Sequence, residues 1–438
     1  MRLSYAVVAA LSILAVGNVG RADDALALQE KYAVDYQYHV RVHVDLDGML
    51  QLSADKDVRA KKLEVSGDSV IEYDERVLGL TKDDEVDKTA RVFREVRLQR
   101  RVGERKQDAT IRDEVKRMIL LRRENTKVPF SPDGALTWGE IDLVRTDVFT
   151  PALKGLLPDQ AVRPGDRWKA SRVAVLALTD MAIIDAGDLD CKFDQVQLVG
   201  KSRVARIEFS GSIRGTNEDG PNEQKLDGYL YFDLETHHIS YLSLRGVHIL
   251  TDKEGKEAGR LTGRFVLSRQ VNTKCKELSD EGLKGIALDP NDDNTRLLYD
   301  NPDLGVKFLY SRRWRASERA NQVTLDTEGG NGLLLSVEAL DRLPTAPQFL
   351  AEVRRDLDAM KSKISRASTP QSIREKPPLE EFNLDAEVNG QKAFLQYYVT
   401  KQTGGGATAA ARIVPGDGEA EMRKEVERIV RSLEITRK

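Results

Sequence analysis

Histidine is the first residue type to test for metal or acid–base chemistry, and the chain has five: His39, His43, His237, His238 and His248. His39 and His43 alternate with apolar residues on one strand pattern, with Arg41 between them. A cation between two ligands opposes metal binding, so this reads as the solvated face of a strand. His237 and His238 fall at a turn. No H-E-x-x-H, C-x-x-C or G-x-S-x-G occurs, which removes the usual support for zinc-protease, thiol-redox and serine-hydrolase chemistry. The glycine-rich loops around Gly329-Gly330 and Gly404-Gly405-Gly406 join strands and lack a following Lys-Ser/Thr. They are hairpins rather than phosphate cradles. Asp289, Asn291, Asp293 and Asp300 stand at positions 1, 3, 5 and 12 of a calcium loop. Asn294 replaces the required glycine and position 12 lacks a glutamate, so calcium is not expected. With 71 acidic residues, a carboxylate pair for glycoside hydrolysis is not readable from spacing, because that chemistry depends on distance in space. No catalytic, cofactor-binding or metal residue is assigned, and no cofactor is expected.

Charge and cysteine carry the remaining signals. Arg91–Arg123 holds twelve Lys/Arg against five Asp/Glu. Arg94, Arg97, Arg100, Arg101, Arg117, Arg122 and Arg123 are the candidate patch for an anionic polysaccharide, a lipid surface or an acidic protein. The bland alternative, favoured here, is the wet face of successive strands, whose charges discourage edge pairing. Trp138, Trp168 and Trp314 each adjoin a turn and read as core anchors. Cys191 and Cys275 are the only cysteines. Paired, they would close a loop worth up to about 4 kcal/mol; two separately buried thiols is the equal alternative.

Residues 1–22 resemble a secretory leader: Arg2, the apolar run Ala6–Val16, then Gly20-Arg21-Ala22 before Asp23. The expected destination is the periplasm or the exterior. Nothing later reaches the roughly 18 apolar residues of a membrane-crossing helix, and the net charge of -3 opposes whole-protein attraction to nucleic acid.

From residue 23 to 275 the pattern predicts a β-rich domain with a central helical segment. Tyr36, Tyr38, Val40, Val42 and Val44 alternate with polar residues as a half-wet strand. Further strands are expected at 49–54, 62–66, 70–73, 96–102 and 115–121, with a helix over 84–95. Thr137 and Glu140 form a capping box before a helix carrying Ile141, Val144 and Val148. A second run of strands follows at 172–178, 190–198, 203–210, 228–234, 239–244 and 261–271. Residues 276–296, centred on the polar Asp289–Asn294, form a linker. The domain from 297 to 438 alternates strands with two amphipathic helices, one from Pro347 to about Ser365 and one starting near Asp417. The fold class is α+β: a large β-rich domain, mostly antiparallel because its strand connections are too short for crossover helices, and a smaller domain with helices laid on a sheet.

In that last third, Gly305-Val306-Lys307-Phe308-Leu309-Tyr310 with Trp314 resembles the opening of PsbP-like domains. So do the Gln348–Leu357 helix, the Asn389-Gly390 strand entry and the closing Ile429-Val430-Arg431-Ser432-Leu433. The usual proline before the aromatic bend is absent, with Ser311, Arg312 and Arg313 there instead. The resemblance implies an α/β/α sandwich used as a binding scaffold, with no shared catalytic residue to carry over. The residues before it are loosely similar to exported bacterial β-rich proteins. The expected protein is a non-enzymatic binding or adaptor protein of the periplasm or cell envelope. The alternatives are a carrier of an apolar ligand or lipid in the N-terminal sheet, and a hydrolase using dispersed carboxylates.

Overall fold

The computed structural model describes residues 25–52, 61–123, 126–145, 147–217, 220–252 and 254–436. The expected leader at 1–22 lies outside the described residues. Strand residues outnumber helical ones, 55% against 15%, as a β-rich α+β chain requires. The chain divides into two compact units. The first comprises the described parts of Met1–Lys31, Asp45–Val65 and Phe149–Arg269; the second, those of Tyr32–Val44, Ser66–Val148 and Gln270–Lys438. No helix among the described residues is long and apolar enough to cross a membrane.

Six strands open the chain: β1 (Gln37–Leu52), β2 (Lys61–Leu80), β3 (Val86–Val102), β4 (Arg105–Ala109), β5 (Arg117–Arg123) and β6 (Thr126–Phe130). They lie in the order β6-β5-β3-β2-β1, with β4 paired to β3. The alternation read at 36–44 is real: Tyr38, Val40 and Val42 are buried. Three expectations fail. Residues 49–52 continue β1 rather than starting a new strand, residues 62–66 and 70–73 belong to one long strand, β2, and the helix expected over 84–95 is the start of β3. Thr89, Ala90, Arg91, Val92 and Phe93 are all buried, so both faces of β3 are covered and no period-two signal survives to mark a strand.

At the centre of this sheet sits a sealed polar cluster. The Arg91 guanidinium donates to Glu75 Oε1 at 3.0 and 3.2 Å and to Asp147 Oδ2 at 2.7 Å. Tyr38 and Thr89 donate to the same Glu75 carboxylate at 2.6 and 2.8 Å, and the Tyr73 ring lies 3.6 Å from the guanidinium carbon. Burial, then the Glu75 charge, pushes the Tyr38 phenol up and keeps it a donor. After β6, the capping box forms as read: Thr137 N donates to Glu140 Oε2 at 2.8 Å and Glu140 N to Thr137 Oγ1 at 3.2 Å. It starts α1 (Trp138–Arg145). Trp138 is half exposed, not a core anchor.

The first unit continues with β7 (Arg167–Lys169), α2 (Arg172–Thr179), β8 (Ile183–Ala186), β9 (Leu189–Val199), β10 (Ser202–Asn217), β11 (Gly220–Asp233), β12 (His238–Thr251) and β13 (Glu257–Val271). The order is β7-β9-β10-β11-β12-β13, antiparallel throughout, with β8 paired to β10. The strand expected at 172–178 is helix α2. A short apolar run does not distinguish the two by periodicity, and the Ser171 hydroxyl, accepting from Ala174 N, supplies the cap. Phe193, Ile207, Leu230, Phe232, Leu242 and Leu267 are fully buried on this sheet. A buried ion pair between Glu30 and Arg269 fixes the N-terminal segment, with Glu30 also accepting from Ile239 N.

The rest of the second unit begins with a helical turn at Lys276–Leu278 and α3 (Asp280–Leu283). Leu278 and Leu283 pack with Ala90, Val92, Ile119 and Phe130. Within the stretch 289–294, the Asn291 side chain accepts from its own downstream backbone and Asp289 pairs with Lys88. Then follow β14 (Leu297–Asn301), β15 (Val306–Tyr310), β16 (Trp314–Arg319), β17 (Gln322–Thr327), β18 (Gly332–Glu338), α4 (Ala346–Ala359), β19 (Lys363–Ala367), β20 (Gln371–Arg374), β21 (Leu379–Val388), β22 (Gln391–Gln402), β23 (Gly405–Ile413), α5 (Glu419–Arg431) and β24 (Glu434–Ile435). The sheet order is β16-β17-β18-β23-β22-β21-β19. Val353 and Leu357 of α4 pack on Phe382, Leu384, Leu395 and Tyr397. Helix α5 packs on β23 and β15, burying Met422, Val426, Ile429 and Val430. Helix α4 is shorter than expected: Lys361 turns left-handed and the next residues enter β19. Helix α5 is capped by Gly418 rather than Asp417. Trp314 donates to the buried Glu425 at 2.9 Å.

Two measurements test this core. Arg91→Met strands two buried carboxylates and should cost about 3–5 kcal/mol in urea unfolding, with much of it restored when Glu75 and Asp147 are also made apolar. The second concerns Glu140. Burial alone would raise its carboxyl, but Arg112 and the backbone N–H groups of Thr137 and Arg112 hold it below the ordinary range. A depressed folded pKa stabilises above the unfolded value and is lost as pH falls through the folded one. Wild type should therefore lose stability more steeply than Glu140→Gln below about pH 4.5; parallel acid limbs would contradict this.

Candidate functional site

The arginines singled out by sequence are placed on the second unit, and several are already paired. Arg94 donates to Asp74 and Glu277 at 2.7 and 2.8 Å and to the Cys275 sulfur at 3.2 Å. Arg97 pairs with Asp68 at 2.5 Å, and Arg117 grips Asp133 with two bonds of 2.6 and 2.9 Å. Arg122 is half-buried, and burial lowers its pKa. Arg100 and Arg101 are exposed on the β3–β4 hairpin beside Lys106. The Arg123 side chain lies outside the described residues. The histidine stripe is likewise engaged: His39 meets Asp74 at 3.0 Å and His43 meets Asp68 at 2.8 Å, a carboxylate that Arg97 also occupies. Cys191 and Cys275 are free, buried thiols. Burial and then Asp190 push Cys191 up to about 12, far from a reactive thiolate.

The arrangement with spare binding capacity is on the first unit, where sequence reading names no anion-binding residue. Side chains alternate faces along a strand, and register carries the alternation from strand to strand. Lys225, Val247 and Thr262 form one cross-strand row, and Asp227, Arg245 and Arg264 the next. The Thr262 hydroxyl donates to Asp47 O at 3.2 Å, adding β1 to the first row. These rows line a groove of about 580 Å³, with Asp45 at its border, a volume within the range of small-ligand sites.

Arg245 and Arg264 stand directly opposite each other. Among the described residues neither guanidinium has an ion pair or hydrogen bond to an acid. Like charges in that relation destabilise a sheet. Neighbouring arginines on this unit are satisfied: Arg206 pairs with Asp194 and Glu208 at 2.6 and 2.9 Å, and Arg260 with Glu257 at 2.7 Å. Along the same face, the next rows place Tyr229, Tyr231 and Tyr241 with ring centroids 5.3–5.9 Å apart, and Arg206 lies 4.9 Å over the Tyr229 ring. Burial, then Tyr241, pushes the Tyr229 phenol up to about 12, so it is a neutral donor at ordinary pH. Two unpaired guanidinia next to an aromatic platform can hold an anionic group bidentately and cover an attached planar or apolar part. The sequence signal was there only as Arg245 and Arg264 on two strands whose pairing register is a tertiary fact.

No family model matches the chain, and no curated protein matches its sequence. Solved structures resemble it in part. The solution structure of cyanobacterial PsbP (CyanoP) from Synechocystis sp. PCC 6803 is 14% identical and covers 37% of this chain and 98% of its own, with a TM-score of 0.26. The Ran-binding protein Mog1p of Saccharomyces cerevisiae is 9% identical and covers 32% and 96%, with a TM-score of 0.25. Lipovitellin, in a structure concerned with its lipid–protein interactions, is 9% identical and covers 57% of this chain, which in turn spans 27% of lipovitellin; the TM-score is 0.30.

If the opposed arginines are held against their own repulsion, removing one relieves it. Arg264→Thr should raise stability by about 0.2–1 kcal/mol in urea unfolding. A loss of that size would instead mean that the pair is structural.

Proposed function

We propose that the protein is an exported, non-enzymatic binding protein of the periplasm or cell envelope that takes an anionic ligand or partner on the β11–β13 face of its first unit. One observation carries this reading: Arg245 and Arg264 sit opposed and, among the described residues, without an ion pair over the groove, while the nearby Arg206 and Arg260 are paired with acids. Stability sacrificed at one place on a surface is a mark of binding function. The leader-like residues 1–22 support export. The hydrolase alternative draws nothing from Glu75 and Asp147, the two acids that converge on Arg91, because both side chains are sealed from solvent.

The probe is inorganic pyrophosphate, titrated at constant ionic strength while thermal unfolding is followed. A ligand of the native state stabilises by about 2.7 kcal/mol at a hundred times its dissociation constant. The melting temperature of the wild type should rise with pyrophosphate, and that of Arg245→Ala and Arg264→Ala should not. Equal rises in all three proteins would refute the site.

A further inference from the structure

We propose that the β9–β10 turn is a membrane-contact element that seats on an anionic bilayer, with Leu198 and Val199 entering the headgroup region and Lys201 and Arg203 meeting acidic lipids. The inference is independent of the groove. Register pairs Val199 with Ser202 and Leu198 with Arg203, so the loop is the two residues Gly200-Lys201. Gly200 takes φ +62 at the first central position, where a tight hairpin turn of the II′ kind needs glycine. The tip is therefore short and set by its backbone.

On such a turn, polar side chains are the default in water. Here Leu198 is 73% exposed and Val199 42%. Opposed alternation puts them on the two faces of the hairpin, making a wedge rather than a one-sided patch. Residues 197–203 contain no acid and two cations, both exposed. The adjoining turn is held by Leu234 N donating to Arg203 O at 3.0 Å, and it carries the acid Glu235. Two side chains expose far less than the roughly 1,000 Å² that a stable protein interface buries, which argues against a second copy. Apolar tip residues flanked by cations are instead suited to the boundary between headgroups and acyl chains. Each cation near an anionic surface is worth about fivefold in affinity, so the contact is weak and salt-sensitive.

The test is co-sedimentation of the full chain with vesicles of phosphatidylcholine alone and of equal parts phosphatidylcholine and phosphatidylglycerol. Wild type should sediment with the anionic vesicles, less so as salt rises, and not with the neutral ones. Leu198→Asp should abolish sedimentation, and Lys201→Glu should weaken it by at least about fivefold. Both positions are exposed, and unchanged melting temperatures would confirm that the variants fold. Wild type that ignores anionic vesicles overturns the proposal, as does sedimentation that neither variant alters. Loss of vesicle binding in Arg245→Ala but not in the tip variants would also overturn it, assigning the lipid to the groove. A dimer that Leu198→Asp dissolves without affecting sedimentation would replace the membrane with a second copy.

Discussion

The Arg91 guanidinium is the charge around which the second unit is registered. Tyr38 on β1, Glu75 on β2, Thr89 on β3 and Asp147 beyond α1 all meet it or its carboxylate partner inside the sheet. A one-residue slip of any of these strands would carry its member of the cluster to the other face, leaving a buried charge without compensation. What is visible outside follows from the same register. With Tyr38, Val40 and Val42 turned inward, His39, Arg41 and His43 must face outward, where Asp74, Glu72 and Asp68 of β2 meet them. Arg94 and Arg97 of β3 complete the stripe. Two arginines of the strongly basic run are thereby met by acids, while Arg100 and Arg101 stay exposed on the β3–β4 hairpin.

The first unit uses charge in the opposite way. Its core is apolar, and its buried ion pair, Glu30 with Arg269, fastens the N-terminal segment rather than organising the sheet. Its outer face holds the unsatisfied groups: the opposed Arg245 and Arg264 and the bare Leu198 tip. None of these stabilises the sheet it stands on. The two units therefore differ in where electrostatic free energy is held. In one it is spent inside on register; in the other it is left on the surface, available to something that binds.

Much of the architecture was legible in residues. Strict alternation over 36–44, the Thr137–Glu140 box, the hairpin after Asp233 and the stripe of α4 each depend on contacts within a few residues. Local rules therefore suffice for them. The failures share a cause as well. At β3 both faces are buried, and at α2 an apolar run is short, so periodicity carries no information about either. Sequence leaves Cys191 and Cys275 open between a bond and two thiols; the fold makes them two buried thiols, one of them engaged by Arg94.

Composition and local pattern determined, by themselves, a β-rich α+β chain whose last third alternates strands with two amphipathic helices. They also determined which motif-borne chemistries lack their residues. These follow from the hydrophobic periodicity of contiguous segments and from the stereochemistry of turns and caps. Tertiary structure alone decided which charges are satisfied. Arg94 and Arg245 look alike in sequence, yet one donates to two acids and the other stands between Asp227 and Arg264 with no ion pair among the described residues. Pairing across strands is set by register between residues far apart in the chain, and no local pattern encodes it.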